Sequence, residues 1–176
     1  MRVTRNTGLS DRKRKQMKAV IVYYSLEGNT KDTAEKIAAV TGADLLQIEP
    51  QKEYPKEGGK KFVWGGKAVV FGEKPALQPY HLDLDAYDTV MIGTPVWASS
   101  FAPPIRTFLS ENEIKGENVG FFACEMANGA EKCFEKMRKF AGVDSVKAQL
   151  VLIDPLKKGS KENEEKIRRF CEEMAK

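Results

Sequence analysis

The stretch Val20-Ile21-Val22-Tyr23-Tyr24-Ser25-Leu26-Glu27-Gly28-Asn29-Thr30 restricts the fold more than any other part of the chain. An apolar, β-branched run stops at Ser25, turns through Gly28 and enters a helical sequence. That order predicts a strand, a tight loop and a helix N-terminus in one piece. Such a piece binds an anion.

The residue types supply the chemistry. Ser25 and Thr30 carry hydroxyls that can donate to phosphate oxygens, and Gly28 lets the backbone bend with no Cβ in the way. Amides between Glu27 and Lys31 belong to the set that a starting helix leaves unpaired, at its positive end. The same loop is also compatible with an ordinary strand-to-helix turn, since Gly and Asn are common turn residues. The rest of the chain decides between the two.

Beyond this loop the pattern alternates. The first strand is expected over about Ala19 to Tyr24. A helix follows from Thr30 to Val40, with Thr33, Ala34, Ile37, Ala38 and Thr41 at helical spacing, ending near Gly42. A second strand covers Ala43 to Ile48 and is closed by Pro50. From Gln51 to Leu84 the pattern is less regular. Phe62, Val63, Lys67, Val70 and Phe71 suggest a helix through Gly65-Gly66, a pair that costs about 2 kcal/mol of helix propensity relative to alanine. The glycines therefore call for close packing against an element or ligand. Trp64 reads as a core aromatic in preference to a cover over a bound group.

Thr89 to Gly93 has the fully apolar character of a buried parallel strand, and Pro103-Pro104 suits the first turn of a helix from Ile105 to about Leu109. A fourth strand (Asn118 to Cys124), a helix (Gly129 to Phe140), a fifth strand (Val146 to Ile153) and an amphipathic helix (Lys161 to Met174) complete the chain. Ile167, Phe170, Cys171 and Met174 form the inward face of the last helix. Five strands alternating with helices predict an α/β fold: a three-layer, doubly wound, five-stranded parallel sheet with right-handed crossovers.

Ser25-Leu26-Glu27-Gly28-Asn29-Thr30, directly after the first strand, resembles the FMN-phosphate loop of the flavodoxin family, whose pattern is Thr/Ser-x-Thr-Gly-x-Thr. Glu27 departs from it, standing where a third hydroxyl is expected. A carboxylate beside a phosphate dianion is repelled unless it turns to water, so Glu27 is credited with a backbone donor only. The strand order 2-1-3-4-5, with FMN at the switch point, is the known arrangement of flavodoxin itself and comes with the resemblance, not from the residues. The fifth strand runs without an inserted loop. The chain from Met17 to Lys176 is thus similar to the short form of the family.

The resemblance brings three loops to one edge of the sheet. The first is Ser25 to Thr30. The second, Gly93-Thr94-Pro95-Val96-Trp97-Ala98, offers Trp97 to a stacked isoalloxazine ring, with a core aromatic as the alternative; Thr94 reads equally as a turn hydroxyl. The third runs from Cys124 through Glu125, Met126, Ala127, Asn128 and Gly129, with backbone groups for the ring's polar edge. In flavodoxins a glycine in the second loop eases a carbonyl rotation that supports the one-electron reduced flavin. None occurs from Thr94 to Ala102, which implies weaker support than usual.

Charge and composition bound the remaining possibilities. Residues 1–16 hold six Lys/Arg (Arg2, Arg5, Arg12, Lys13, Arg14, Lys15) and one acid, Asp11, a net of +5; the formal charge of +4 leaves −1 for residues 17–176. The globular part is nearly neutral. The basic segment has no apolar periodicity and no interleaved aromatics, so it reads as a disordered tail before a 17–176 domain, not as a nucleic-acid arm. Cys124, Cys133 and Cys171 contain no Cys-x-x-Cys pair and suggest reduced thiols, with neither disulfides nor a metal site. His81, the single histidine, sits in a Pro-rich connection and reads as a solvated loop residue. The apolar runs are too short to span a bilayer and no signal peptide is recognised, so a cytoplasmic protein is expected.

No Walker sequence, Gly-x-Gly-x-x-Gly or catalytic triad can be assembled. The resemblance implies an FMN-binding electron carrier, with redox partner proteins or a small-molecule electron acceptor. The alternative from another class is an NAD(P)H-dependent quinone or flavin reductase on the same fold. A partner-binding module without flavin is the third.

Overall fold

The structure is a computed structural model that describes residues 18–56, 58–115 and 118–176; the basic tail expected over residues 1–16 lies outside the described residues. The central strands are β1 (Ala19–Tyr23), β2 (Asp44–Gln47), β3 (Thr89–Trp97), β5 (Val119–Glu125) and β6 (Ala148–Ile153). All pair in parallel, in the order β2-β1-β3-β5-β6. Counted among themselves, these five strands have the expected order 2-1-3-4-5. A short sixth strand, β4 (Ser100–Phe101), folds back antiparallel on the end of β3.

The two-residue period of the strands sorts the core into two halves. From β1, Ala19, Ile21 and Tyr23 meet Ala34 and Ile37 of α1 (Asn29–Thr41) and Ile167, Phe170, Cys171 and Met174 of α5 (Lys161–Met174). Val20, Val22 and Tyr24 join the other half, with Ile105 and Phe108 of α3 (Pro103–Glu111) and Phe134 and Met137 of α4 (Ala130–Ala141). The inward face predicted for the last helix is the one it buries. Pro103 and Pro104 occupy the first turn of α3, where a missing amide proton costs no helical bond.

β3 differs from its sequence reading. It was expected to end at Gly93 and give way to a loop, yet it continues to Trp97. Pairing explains the extension. β1 follows β3 only to Tyr23↔Gly93, whereas β5 pairs as far as Pro95↔Cys124 and β4 supplies Val96↔Phe101 and Trp97↔Ser100. Past Gly93, β3 is an edge strand on the β1 side, which is where a strand tolerates a proline.

The irregular middle contains α2 (Lys60–Val70), which does run through Gly65-Gly66. Trp64 is not the core aromatic expected, being 52% exposed. Gly65 supplies the reason for a glycine: a Cβ there would lie 3.3 Å from Cε3 of Trp97. The helix backbone itself is packed against an indole. His81 is exposed in its connection, as its sequence context suggests.

Gly93 marks where the sheet is tightest. A Cβ at this position would stand 2.1 Å from Cζ of Phe122, a fully buried ring on the adjacent strand that has no room to turn aside. Gly93→Ala is expected to destabilise the fold by about 1–3 kcal/mol through overpacking. Urea unfolding checks this; an unchanged midpoint would show that the Phe122 ring relocates freely.

Candidate functional site

The carboxyl ends of β1, β3, β5 and β6 open on one cleft of about 350 Å³. Its lining begins with the first loop. Gly28, with φ of 94°, stands immediately before α1, and its amide and that of Lys31 both donate to Ser25 Oγ, each at 3.2 Å. Two amides of the helix start thus converge on an oxygen at the cleft wall, the geometry a phosphate oxygen requires. Ser25, Leu26, Glu27, Asn29 and Thr30 all line the cleft. Glu27 is exposed, as its charge demands.

Asn29 fastens this loop to the segment after β6. Its Nδ2 donates to Asp154 Oδ1 at 3.4 Å, and its Oδ1 accepts from the Leu156 amide at 3.0 Å. Asp154 sits at φ 44°, and its carbonyl accepts from the amides of Lys157 and Lys158. This compact turn places Asp154 and Lys157 in the cleft lining.

The opposite wall is the end of β3. Pro95, Val96, Trp97 and Ala98 line it together with Gly65 and Gly66 of α2. Trp97 is half-buried and packed edge-to-face with Tyr24 (centroids 5.8 Å apart) and Tyr54 (5.2 Å). Burial raises both phenols, Tyr54 to about 12, so they stay protonated and neutral beside the indole. Ala98 and Ser99 join β3 to β4 as a two-residue turn with φ of 47° and 53°. Left-handed values at both central positions fit a primed hairpin turn, although neither residue is the glycine such turns favour.

Thr94 does not reach the cleft. It is fully buried, its hydroxyl donating to the Pro95 carbonyl at 2.9 Å and accepting from the Ala102 amide at 3.0 Å. That is the turn-hydroxyl alternative, and it ties the hairpin to the start of α3. From the third loop Glu125 and Met126 line the cleft, whereas Ala127 and Asn128 are exposed beyond it. Glu125 Oε2 accepts from the Ala130 amide at 2.9 Å, capping α4. Gly129, with φ of 111°, packs behind the hairpin, 2.9 Å from Ser99 Oγ to where its Cβ would be.

Asp154 and Lys157 were not singled out in the sequence, and Gly65-Gly66 was read as a point of close packing without being assigned to the site. The glycine pair did signal an unusual contact. The Asp154-Pro155 break after the fifth strand was a second signal, because every loop at the carboxyl edge of a parallel sheet is a candidate for the site.

The flavodoxin family profile matches residues 18–166, and the chain belongs to that family. Among solved structures, a flavoprotein from Lactobacillus acidophilus determined in complex with FMN shares 26% identity, with a TM-score of 0.69 over 82% of this chain and 99% of that one. A chain from Bacteroides eggerthii classed with the flavoproteins has 23% identity and a TM-score of 0.72, covering 91% of this chain and 99% of its own. A WrbA-like flavodoxin from Agrobacterium tumefaciens has 16% identity and a TM-score of 0.57, covering 90% and 95% respectively; these last two similarities concern the fold. No curated protein sequence matches. Among the described residues no helix is long and apolar enough to cross a membrane, and no cluster of potential metal ligands occurs.

Burial disfavours ionisation of all three thiols. Cys124 borders the cleft, yet burial pushes it up to about 11 despite a 3.4 Å contact with Thr33 Oγ1; Cys133 rises to about 12 and Cys171 to about 11, again through burial. Below the ordinary thiol value of 9.0 all three are protonated whether the chain is folded or not. Between there and their folded values only the unfolded chain ionises, so stability is lost as pH rises through that window. The melting temperature is expected to fall above about pH 9, and less so in a Cys124→Ser/Cys171→Ser variant, as thermal scans across pH 8 to 11 would show.

Proposed function

We propose that the protein binds FMN non-covalently in this cleft and works as a cytoplasmic electron carrier, exchanging electrons with partner proteins or a small-molecule acceptor. One observation carries the reading: the amides of Gly28 and Lys31 converge on Ser25 Oγ in the same cleft that Trp97 walls. An anion cradle and a flat aromatic wall are the two features that a flavin nucleotide asks for. The left-handed turn at Gly28 leads the chain straight into α1, and the Leu156 side chain packs over that turn from the segment after β6.

FMN, once bound, supplies the redox chemistry. The chain's own residues hold and tune it. Ser25 and the amides of the α1 start take the phosphate, and Asn29 keeps that loop in register with the turn after β6. Pro95, Val96 and Trp97 would shield one side of the bound ring from water, and Glu125 and Met126, which also line the cleft, would border its polar edge. Ala98 and Ser99 are already left-handed without glycine, so a carbonyl rotation in this turn is costlier than in relatives with glycine there. Reductive titration of the reconstituted protein is expected to pass with little one-electron reduced flavin. Near-complete accumulation would show that the turn rotates regardless.

Binding is tested directly. The chain has two tryptophans, so Trp64→Phe leaves Trp97 as the sole indole. FMN added to that variant is expected to quench its emission and acquire the visible absorption of bound flavin, and Trp97→Ala to weaken binding about tenfold or more. A protein that stays colourless at micromolar FMN would refute the proposal. Adding NADH or NADPH with a quinone separates carrier from reductase: inertness without a partner reductase supports the carrier, and rapid turnover the enzyme.

A further inference from the structure

The cleft carries an unusual charge balance for a site that takes a dianion. Glu27, Glu125 and Asp154 line it, and among the described residues of the lining Lys157 is the single cation. Glu125 is engaged at the start of α4 through the Ala130 amide. Asp154 is held by Asn29 on one oxygen and lies 3.5 Å from Lys157 Nζ on the other. Carboxylates lining the same cleft oppose a phosphate, and a cation among them favours it.

We propose that Lys157 is the residue that selects the phosphorylated flavin, swinging from Asp154 to the phosphate when FMN enters; this rests on the FMN reading above. The turn after β6 puts it there. Leu156 Cδ1 lies 3.3 Å from the position a Gly28 Cβ would take, and the Leu156 amide donates to Asn29, so the preceding residue already touches the phosphate loop. The Asp154 carbonyl, accepting from the Lys157 and Lys158 amides, fixes the backbone at this point. The side chain stays free to move. It is 78% exposed, and an ion pair of that kind contributes little on its own, so a phosphate dianion outcompetes the Asp154 carboxylate for the ammonium.

The assignment also accounts for Glu27. Where the phosphate loop lacks a third hydroxyl, a point charge from a different loop takes up the missing donor's work. A lysine suits this role because its ammonium can present any of three protons to whichever phosphate oxygen is exposed.

The test compares FMN with riboflavin, which shares the ring and lacks the phosphate. Kd values for both are measured by flavin fluorescence quenching at low and high NaCl, in wild type, Lys157→Gln and Lys157→Arg, with melting temperatures as the folding control. The expected result is an FMN affinity about tenfold lower in Lys157→Gln, an unchanged riboflavin affinity, a flatter salt dependence for FMN, and recovery in Lys157→Arg. In Lys157→Gln, either of two results overturns the proposal: both flavins weakened alike, which would make the lysine a support for its loop, or neither affected. A wild-type chain that takes up riboflavin and FMN equally also overturns it while leaving flavin binding intact. Failure of wild type to take up either flavin overturns the FMN reading and the lysine assignment together.

Discussion

The amide groups that α1 cannot pair within itself are the constraint around which the rest of the molecule is arranged. A helix start leaves N–H groups without carbonyl partners, and they must find an oxygen. Here Ser25 Oγ accepts two of them, from Gly28 and Lys31. Holding that geometry requires β1 to end in the middle of the sheet, with β2 and β3 on either side, so that the turn emerges at the crevice between diverging connections. The buried contacts of Ala34 and Ile37 with Ile21 and Tyr23 then keep the helix aimed.

Around this fixed point the cleft is assembled from elements of different origin. One wall belongs to α1 and the turn after β6, joined by one asparagine side chain. The opposite wall belongs to an overhang of β3, supported by β4, by the buried Thr94 hydroxyl and by the tyrosines around Trp97. α2 closes over it with backbone at Gly65, because any larger residue would displace the indole. Polar groups are used sparingly and are mostly anchored to the protein. Among the described residues of the lining, Lys157 is the cation, and its side chain is largely exposed.

The fold was legible because its strands are short apolar runs and its helices have apolar faces at the right period. The Val20–Thr30 stretch was legible as a strand, a tight turn through Gly28 and a helix start, which together form one wall of the cleft. Legibility failed where pairing, not propensity, decided the outcome. Nothing local in Thr94-Pro95-Val96-Trp97 announces a strand, since proline argues against one, and only the partners Cys124, Phe101 and Ser100 make it so. Thr94 looked like a ligand because hydroxyls near such loops often are; the Ala102 amide claims it instead. Trp64 and Trp97 sit in equally apolar surroundings in the sequence, yet one faces solvent and the other a cleft. The glycine that distinguishes them, Gly65, is read only once the helix is seen against the indole.

The overhang at the end of β3 has a bearing on how this site can change over time. Side chains along a strand alternate faces, so gaining or losing one residue between Gly93 and Ser100 would carry Trp97 to the far side of the hairpin and bring a neighbour into its place. Point substitutions can retune the wall, whereas indels cannot do so gradually. The loop carrying Met126 is under no such parity rule, and it is where new preferences for molecules that meet the cleft mouth can arise in small increments.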